Sequence, residues 1–342
     1  MQSNARVSVI IPCRNEARFI ESCLASVLRQ TFPRGRLEVL VADGMSEDGT
    51  RAIVRRFAAR HRGFRLIDNP RRITSCALNA GIAASRGGVI VRLDAHAKYP
   101  RDYVARCVDG LRRYGADNVG GNMVTLPRRR TLLGRALAAV ISHPFGVGNS
   151  QFRIGSSAVR EVDTVFGGCY RRDVFERIGR FNERLTFSQD LEFNLRLRKS
   201  GGKILLLPGI VSYYFARSDF SSFWRHNIRN GRWVILPLLY SRIIPVSWRH
   251  LVPMAFVLGL GGLAAASGVW APAGWLLAGV LSLYAAGALA ASCHAAARAR
   301  DWALAVVLPG LFLSLHLAYG LGSLLGAGQV MARLARGDRR RR

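Results

Sequence analysis

Apolar and polar positions change in regular blocks along the N-terminal part of the chain. Short β-branched runs predict buried strands at 7–12, 37–43, 64–69 and 87–95. The segments between them have apolar residues at helical spacing, which predicts a helix after each strand. Strands that alternate with helices of this length predict a parallel, doubly wound α/β sheet. In such a sheet, ligands bind at the carboxyl ends of the strands.

The C-terminal part is apolar almost throughout. Between Arg249 and Arg333 the only charged residues are Arg298, Arg300 and Asp301. A charge-free stretch of about 20 residues is long enough to span a bilayer. The pattern therefore predicts about three transmembrane helices, at roughly 251–271, 273–297 and 302–328.

Charge and the N-terminal pattern predict an orientation in the membrane. No basic-then-apolar leader opens the chain, so we expect the large N-terminal domain to stay in the cytoplasm. The net charge is +29, and arginines crowd the membrane flank at positions that satisfy the positive-inside rule: Arg225, Arg229, Arg232, Arg242 and Arg249. These features predict a multi-pass protein of the inner membrane. The basic tail also favours the cytoplasm, which three crossings do not allow, so the number of passes stays open.

The composition predicts four regions along the 342 residues. They are a cytoplasmic domain at 1–235, a basic interfacial segment at 236–250, a membrane domain at 251–330 and a basic tail at 331–342. The cysteines show no C-x-x-C spacing, which favours buried thiols in a reducing compartment over a zinc site or a disulfide framework.

Three other functional classes lose support at this stage. No G-x-G-x-x-G follows the first predicted strand, and no G-x-x-x-x-G-K-[ST] occurs, so Rossmann dinucleotide and P-loop chemistry are disfavoured. The positive charge also suggests nucleic-acid binding as a function. We expect no nucleic-acid partner, because the arginines are spread over helices and membrane flanks and no recognition motif is present.

Carboxylates gather at the predicted sheet edge. They follow strands or loops as Glu16, Asp43 with Asp48, Asp94 with His96, and Asp190 with Glu192. Each has a structural alternative, since "DGMSEDGT" caps a helix as a solvated turn, "SQDLEF" resembles a capping box and D-x-H is an ordinary polar strand end. Together they suit a nucleotide-sugar, whose diphosphate needs a divalent cation and whose acceptor hydroxyl needs a general base.

Several stretches agree in order and spacing with one family. "VSVIIPCRNEARFIESCLASVLRQ", "EVLVADGMSEDGT", "LNAGIAASRGGVIVRLDA", "FGGCYRRDVFERIGRFNERL" and "QDLEFNLRLRKSG" resemble the family 2 glycosyltransferases, over about residues 6–235. The "LDAHAKYP" and "SQDLEFN" variants are most similar to the succinoglycan-type exopolysaccharide glucosyltransferases (the ExoA-like branch). The resemblance implies an inverting enzyme with the GT-A fold, a Rossmann-like, mostly parallel sheet flanked by helices, followed here by transmembrane helices.

The resemblance also implies roles for individual residues. The nucleotide-sugar would contact Pro12, Arg14, Glu16, Asp43, Ser46, Arg72, Asn79 and Asp94. Asp94 and His96 fall on the family's D-x-D metal motif, and Asp190 falls on its catalytic base. Gly167 and Gly168 lie where the family lets the acceptor approach closely.

Two positions depart from the family pattern. His96 replaces the second carboxylate of the metal motif, and an imidazole suits Mn²⁺ better than Mg²⁺, so we expect a preference for Mn²⁺. Gln189 stands where Glu often precedes the base, which removes a like charge and should leave Asp190 less prone to a raised pKa. If the alignment is displaced by two residues, Glu192 is the base instead.

A basic aromatic motif precedes the predicted membrane region. Arg229, Arg232 and Trp233 resemble the Q-x-x-R-W motif of processive synthases, with Arg in place of Gln. They would bind the acceptor, the arginines holding a diphosphate and Trp233 stacking on a sugar. The structural alternative is a basic helix that anchors to lipid headgroups.

These features predict transfer of a sugar, with glucose favoured, from a UDP-sugar to a polyprenyl-diphosphate-linked saccharide in exopolysaccharide biosynthesis. Other polysaccharide-assembly enzymes are expected partners. A processive polysaccharide synthase and a polyprenyl-phosphate sugar synthase remain alternatives within the enzyme class.

Overall fold

A computed structural model describes residues 6–241 and 248–336, except for the side chain of Trp248. The predictions at Arg242, in part of the interfacial segment 236–250 and in part of the tail 331–342 lie outside these residues. The strands are β1 (Val7–Cys13), β2 (Leu37–Asp43), β3 (Phe64–Asp68), β4 (Val89–Arg92), β5 (Ala97–Lys98), β6 (Asn118–Pro127), β7 (Arg160–Glu161), β8 (Cys169–Arg171) and β9 (Ile204–Ala216).

The described residues form thirteen α-helices, of which the first four follow the four predicted strands as the apolar spacing predicts. They are α1 (Ile20–Leu28), α2 (Thr50–Arg60), α3 (Thr74–Ala84), α4 (Tyr103–Tyr114), α5 (Leu132–Val140), α6 (Pro144–Val147), α7 (Gln151–Ile154), α8 (Arg172–Arg177), α9 (Gln189–Lys199), α10 (Phe220–Ile235), α11 (Trp248–Ala266), α12 (Ala271–Ala299) and α13 (Ala303–Ala335).

One sheet of nine strands runs through the described residues, in the order β3-β2-β1-β4-β8-β6-β9-β5, with β7 on β9. The first four strands pair in parallel, with Val9 opposite Val39 and Val91. β8 then pairs antiparallel with β4 and β6, and β5 and β7 pair antiparallel with β9. The sheet is therefore mixed: the predicted parallel strands form one half, and later strands add the other.

Both faces of the parallel half are covered. α1 and α4 supply Leu24 and Val104 to a core of fully buried β-branched strand residues. α3 packs close to β1, since a Cβ added at Gly81 would lie 2.5 Å from Ile10 Cγ2. This close approach explains why the α3 sequence consists mainly of small residues.

The described residues cluster by contact into two units. The sheet unit comprises those within Met1–Val124 and Gly155–Tyr214, and the helical unit those within Thr125–Ile154 and Phe215–Arg342. In the helical unit, three described helices are long and apolar enough to cross a membrane, over Arg249–Ala266, Ala271–Ala299 and Ala303–Ala335. This confirms the three apolar C-terminal helices. Pro309 lies inside α13, which continues through it.

Glycines bring α10 and α13 together backbone to backbone. A Cβ added at Gly231 of α10 would lie 1.9 Å from the Tyr319 carbonyl oxygen. A Cβ added at Gly322 of α13 would lie 2.1 Å from the Ile228 carbonyl oxygen. Small residues permit this approach in helices that cross membranes. The contact places α10 alongside the C-terminal half of α13.

Candidate active site

The centre of the sheet-unit site is a buried arginine between two carboxylates. Arg92 is the last residue of β4, and its side chain is 9% exposed. Its Nη2 donates to Asp94 Oδ1 at 3.1 Å, and its Nη1 contacts Asp190 Oδ2. The structure therefore brings together the predicted metal ligand and the predicted base, which are far apart in the sequence.

Backbone contacts fix the loop that carries Asp94. The Asp94 N–H donates to Tyr99 Oη at 2.7 Å, and the Asp94 carbonyl accepts from the Cys23 thiol at 3.5 Å. Tyr99 is itself buried and packs against Tyr103. The "LDAHAKYP" stretch thus lies at the carboxyl end of β4 and includes the short strand β5; β4 itself ends at Arg92, before the predicted bound at residue 95.

Asp190 is the second residue of α9, where the helix dipole favours a negative charge. Its side chain is 30% exposed, and its Oδ1 has no hydrogen-bond partner among the described residues. Burial raises the pKa of Asp190, and the Arg92 guanidinium offsets part of that rise. The charge of Asp94 also raises the pKa of Asp190, so the pKa is raised although Gln189 adds no like charge; the smaller tendency expected from Gln189 stays a prediction.

Glu192, the alternative base, has a different environment. Its side chain is 5% exposed and forms a two-pronged ion pair with Arg196, one turn along the same helix. Arg196 also donates to the carbonyl oxygens of Ile178 and Arg180. Glu192 therefore helps to hold the segment before α9, and its carboxylate is less accessible to a substrate than that of Asp190.

His96 lies on the loop after β4 and contacts a third predicted site residue. Its Nδ1 is 3.1 Å from Glu16 Oε1, and its ring meets the Tyr214 ring edge-on. Among the described residues, no hydrogen bond reaches His96 Nε2, which leaves that nitrogen for a ligand. Glu16 was predicted to contact the nucleotide-sugar, and the structure places its carboxylate against the imidazole.

The β2–α2 loop is organised around Asp43. Ser46 donates to its carboxylate from both the backbone N–H and the hydroxyl, and Arg51 Nη1 donates at 2.8 Å. Burial raises the pKa of Asp43, but the bonds from Ser46 and Arg51 outweigh it and hold the pKa below its usual range. The Asp43 side chain is 0% exposed, so Asp43 and Ser46 shape this loop from within.

The remaining predicted nucleotide residues divide by exposure. Pro12 is the penultimate residue of β1, and Arg14 is exposed and lies over Gly44. Arg72 is also exposed, has φ 58°, and reaches Glu47 at 3.9 Å.

Asn79 is buried instead: its amide donates to the Phe181 carbonyl and Glu183 carboxylate, and its oxygen accepts from the Phe181 N–H. Asn79 thus clamps the segment that leads to α9.

The two glycines of "FGGCY" have a backbone reason for their identity. Gly167 and Gly168 have φ 71° and 100°, a region that favours glycine. A Cβ at Gly167 would lie 2.7 Å from the Arg92 carbonyl oxygen, and one at Gly168 would lie 2.6 Å from the Tyr170 ring. The glycines therefore let this loop pack against the end of β4.

The other three predicted acceptor residues belong to the helical unit. Arg229 and Arg232 are on α10, where Arg229 contacts His226 and Arg232 Nε donates to Gln329 Oε1 of α13 at 2.9 Å. Burial, with the charge of Arg217, lowers the pKa of Arg229. Trp233 follows on the same helix. α10 is thus fastened to α13 by a side chain as well as by its glycines.

Sequence reasoning missed Arg92 and Arg51. Arg51 bridges Asp43 and Asp68, with 2.8 Å to each, and so links the ends of two strands. Arg92 had a signal in the sequence, because an arginine inside "VIVRLDA" shares a strand face with Asp94 by alternation. A lone charge in a buried strand requires a partner.

Comparison with known proteins places this geometry in a family. Residues 8–179 match the family model described as Glycosyl transferase family 2. The chain is 32% identical to the succinoglycan biosynthesis protein ExoA of Rhizobium meliloti (strain 1021), over 78% of this chain and 82% of the relative. It is 28% identical to the dolichyl N-acetyl-alpha-D-glucosaminyl phosphate 3-beta-D-2,3-diacetamido-2,3-dideoxy-beta-D-glucuronosyltransferase of Methanococcus voltae, over 66% and 71%.

A solved structure has the same fold. The mannosyltransferase PcManGT from Pyrobaculum calidifontis, in complex with GDP-Man and Mn²⁺, matches with a TM-score of 0.65 and 24% identity, over 94% of this chain and 88% of that chain. The GT-A prediction is thereby confirmed, with the sheet mixed as described. The chain belongs to glycosyl transferase family 2.

Proposed function

We propose that this chain is a membrane-anchored, inverting glycosyltransferase. It transfers a sugar, with glucose favoured, from a UDP-sugar to a polyprenyl-diphosphate-linked saccharide in exopolysaccharide assembly. The observation that carries the proposal is the placement of Asp190 and Asp94 on one buried arginine at the carboxyl ends of the strands. That placement puts a base and a diphosphate-binding carboxylate within reach of one substrate.

The residues at the end of β4 fit a divalent cation. No group of three or more His, Cys, Asp or Glu residues converges within 6–241 and 248–336. A cation that bridges a diphosphate needs only one or two protein ligands, because phosphate oxygens supply others. Asp94 offers a carboxylate, and His96 offers Nε2 while Nδ1 faces Glu16, an arrangement that orients metal-binding histidines elsewhere. When bound, the cation stabilises the charge of the departing diphosphate.

The imidazole supports Mn²⁺ over Mg²⁺ as the preferred cation. PcManGT carries Mn²⁺ in its complex with GDP-Man, which agrees with this preference in a protein of the same fold. Pro12, Arg14, Asp43, Ser46, Arg72 and Asn79 serve the nucleotide end. Of these, the exposed Arg14 and Arg72 can contact the nucleotide directly, while the buried Asp43 and Asn79 act by holding loops.

The transfer step needs one proton acceptor. Asp190 takes the proton of the acceptor hydroxyl, the hydroxyl oxygen forms a bond to C1 of the sugar, and the bond from C1 to the diphosphate oxygen breaks. UDP leaves with the electron pair of that bond. Attack from the face opposite the diphosphate inverts C1, so an α-linked donor gives a β-linked product.

The acceptor and the membrane are linked through the helical unit. The relatives include a succinoglycan biosynthesis protein and an enzyme whose name contains a dolichyl-linked sugar phosphate. Arg229 and Arg232 provide positive charge for a diphosphate, and Trp233 provides a ring for a sugar. We propose that the protein is a multi-pass protein of the inner membrane with the sheet unit in the cytoplasm. We also propose other polysaccharide-assembly enzymes as partners.

Transfer of labelled sugar in isolated membranes tests the proposal. Membranes that contain the full chain receive radiolabelled UDP-glucose, other UDP-sugars or GDP-mannose, and lipids are extracted and sized. We expect label from a UDP-sugar in a lipid-linked saccharide lengthened by one residue. Label on lipid monophosphate would identify a polyprenyl-phosphate sugar synthase. Label in a long polymer would identify a processive polysaccharide synthase. No metal-dependent transfer from any donor contradicts the proposal.

A further inference from the structure

Arg92 makes contacts that its place in the fold does not require. It is the last residue of β4, and the backbone there is already held by the bond from its N–H to the Gly168 carbonyl at 2.9 Å. Its guanidinium bonds reach only Asp94 and Asp190 among the described residues. Arg196, by contrast, also holds backbone segments together through the carbonyl oxygens of Ile178 and Arg180.

The charges around Arg92 explain why an arginine occupies the position. A buried cation is costly unless it is paired, and here one guanidinium faces two carboxylates. Without it, Asp94 and Asp190 would face each other as like charges in a poorly solvated place. The planar fork of arginine can engage two carboxylates at once, which the single ammonium of a lysine does less well.

The two oxygens of Asp190 are not equivalent. Oδ2 contacts Arg92, whereas Oδ1 has no hydrogen-bond partner among the described residues. Buried polar atoms normally have a partner, so an orphan acceptor at a strand-end site indicates a ligand that supplies the donor. The acceptor hydroxyl is such a donor.

We propose that Arg92 is a positioning residue for sugar transfer: it fixes Asp190 through Oδ2, balances the charge of both carboxylates, and leaves Oδ1 to take the acceptor proton. This inference rests on the proposed function, in which Asp190 is the base. Arg92 does not touch the reacting atoms itself, and it acts through the carboxylate that it holds.

A double-mutant cycle in the full chain tests whether Arg92 acts through Asp190. We expect Arg92→Met to lower kcat about 100-fold, the lower end of what a general base contributes, with the donor KM changed less than about threefold. In the Asp190→Asn background, the same change should alter kcat less than about threefold. Arg92→Lys should restore kcat to within about tenfold of wild type, because it keeps the charge and loses the fork.

Independent, multiplicative losses in Arg92→Met and Asp190→Asn would overturn the positioning role, as would a normal kcat in Arg92→Met. A normal kcat in Asp190→Asn would instead refute the base assignment in the proposed function. Arg196→Met is the matched control, an ion-paired arginine on the helix that carries Asp190, and we expect a lower thermal midpoint with kcat within about twofold. If Arg92→Met does not fold, Arg92→Lys carries the cycle, and kcat losses that multiply with those of Asp190→Asn overturn the proposal in the same way.

Discussion

The two units of this protein hold their predicted functional residues by opposite means. In the sheet unit, positions are set by charge: Arg92 joins Asp94 to Asp190, and Arg51 joins Asp43 to Asp68. In the helical unit, α10 is positioned mainly by the lack of side chains at Gly231 and Gly322. The difference shows that precise placement near charged substrates can come from ion pairs or from bare backbone contact. The first responds to pH and ligands, and the second does not.

The largest expected effect comes from removing the base of the sheet unit. Asp190→Asn should lower the rate of sugar transfer by about 10²–10⁴-fold, the usual contribution of a general base. UDP binding should persist, because the carboxylate is not needed for the nucleotide. The measurement is labelled transfer in membranes, with UDP affinity determined on the same preparation.

Glu192→Gln provides the comparison on the same helix. It removes the ion pair with Arg196, so we expect reduced thermal stability and a nearly normal rate in the folded protein. A greater rate loss in Glu192→Gln than in Asp190→Asn would assign the base to Glu192 instead.

The next effect concerns the cation. Glu16→Gln weakens the hold on the His96 imidazole, and the loss of such a supporting contact typically costs 10–100-fold in metal affinity. We expect that range for Mn²⁺ binding in the presence of UDP, measured by electron paramagnetic resonance, and a larger loss in His96→Ala. Glu47→Gln, on a neighbouring exposed loop, should leave the affinity unchanged. Equal Mn²⁺ affinity in the wild type and all three variants would show that His96 is not part of the metal site.

Backbone contact in the helical unit gives a smaller effect that charge does not modify. Gly322→Ala would place a methyl group 2.1 Å from the Ile228 carbonyl oxygen, and overpacking of this kind costs about 1–3 kcal/mol. We expect a lower thermal midpoint in detergent at every salt concentration. Gly328→Ala on the same helix meets nothing within 4 Å and should be neutral or stabilising. Equal behaviour of the two variants would show that α10 is not held by backbone contact.

The smallest effect is a pH dependence within the sheet unit. The pKa of Asp43 is lowered by its bonds to Ser46 and Arg51, so its stabilisation is complete above the unfolded pKa of about 4 and is lost as pH falls through the lower folded pKa. Asp43→Asn should cost about 1 kcal/mol at pH 7, and the difference from wild type should shrink towards pH 3. Asp68→Asn, at a carboxylate 58% exposed, should cost less. A pH-independent difference would mean that Asp43 acts by shape alone.

The sequence was sufficient for the parallel half of the sheet because buried parallel strands are continuous apolar runs. β1 and β2 begin and end within one residue of the predicted bounds. The antiparallel half was not predicted. β8 has three residues, and β6 contains Gly120 and Gly121, so neither shows a periodic signal, and their pairing depends on distant segments.

The site was predictable where geometry follows from the sheet edge, as for Asp94 beside Asp190. It was not predictable where a side chain is used by the fold itself. The Asn79 amide donates its hydrogen bonds to Phe181 and Glu183, and the Asp43 carboxylate accepts hydrogen bonds from its own loop. Such pairings depend on which atoms meet across the fold, which residue type and spacing do not specify.

The backbone contact between α10 and α13 has a mechanical consequence. α13 has 33 residues and is about 50 Å long at 1.5 Å per residue, well beyond the thickness of a hydrocarbon core of about 30 Å. A long helix adapts to bilayers of different thickness by tilting. At Gly231 and Gly322 the backbones of α10 and α13 are in direct contact, so the two helices tilt together. Arg229 and Trp233, which lie on α10, move with them. If the chain is anchored and binds its acceptor as proposed, bilayer thickness determines the orientation of the acceptor-binding helix α10 as well as the tilt of the anchor α13.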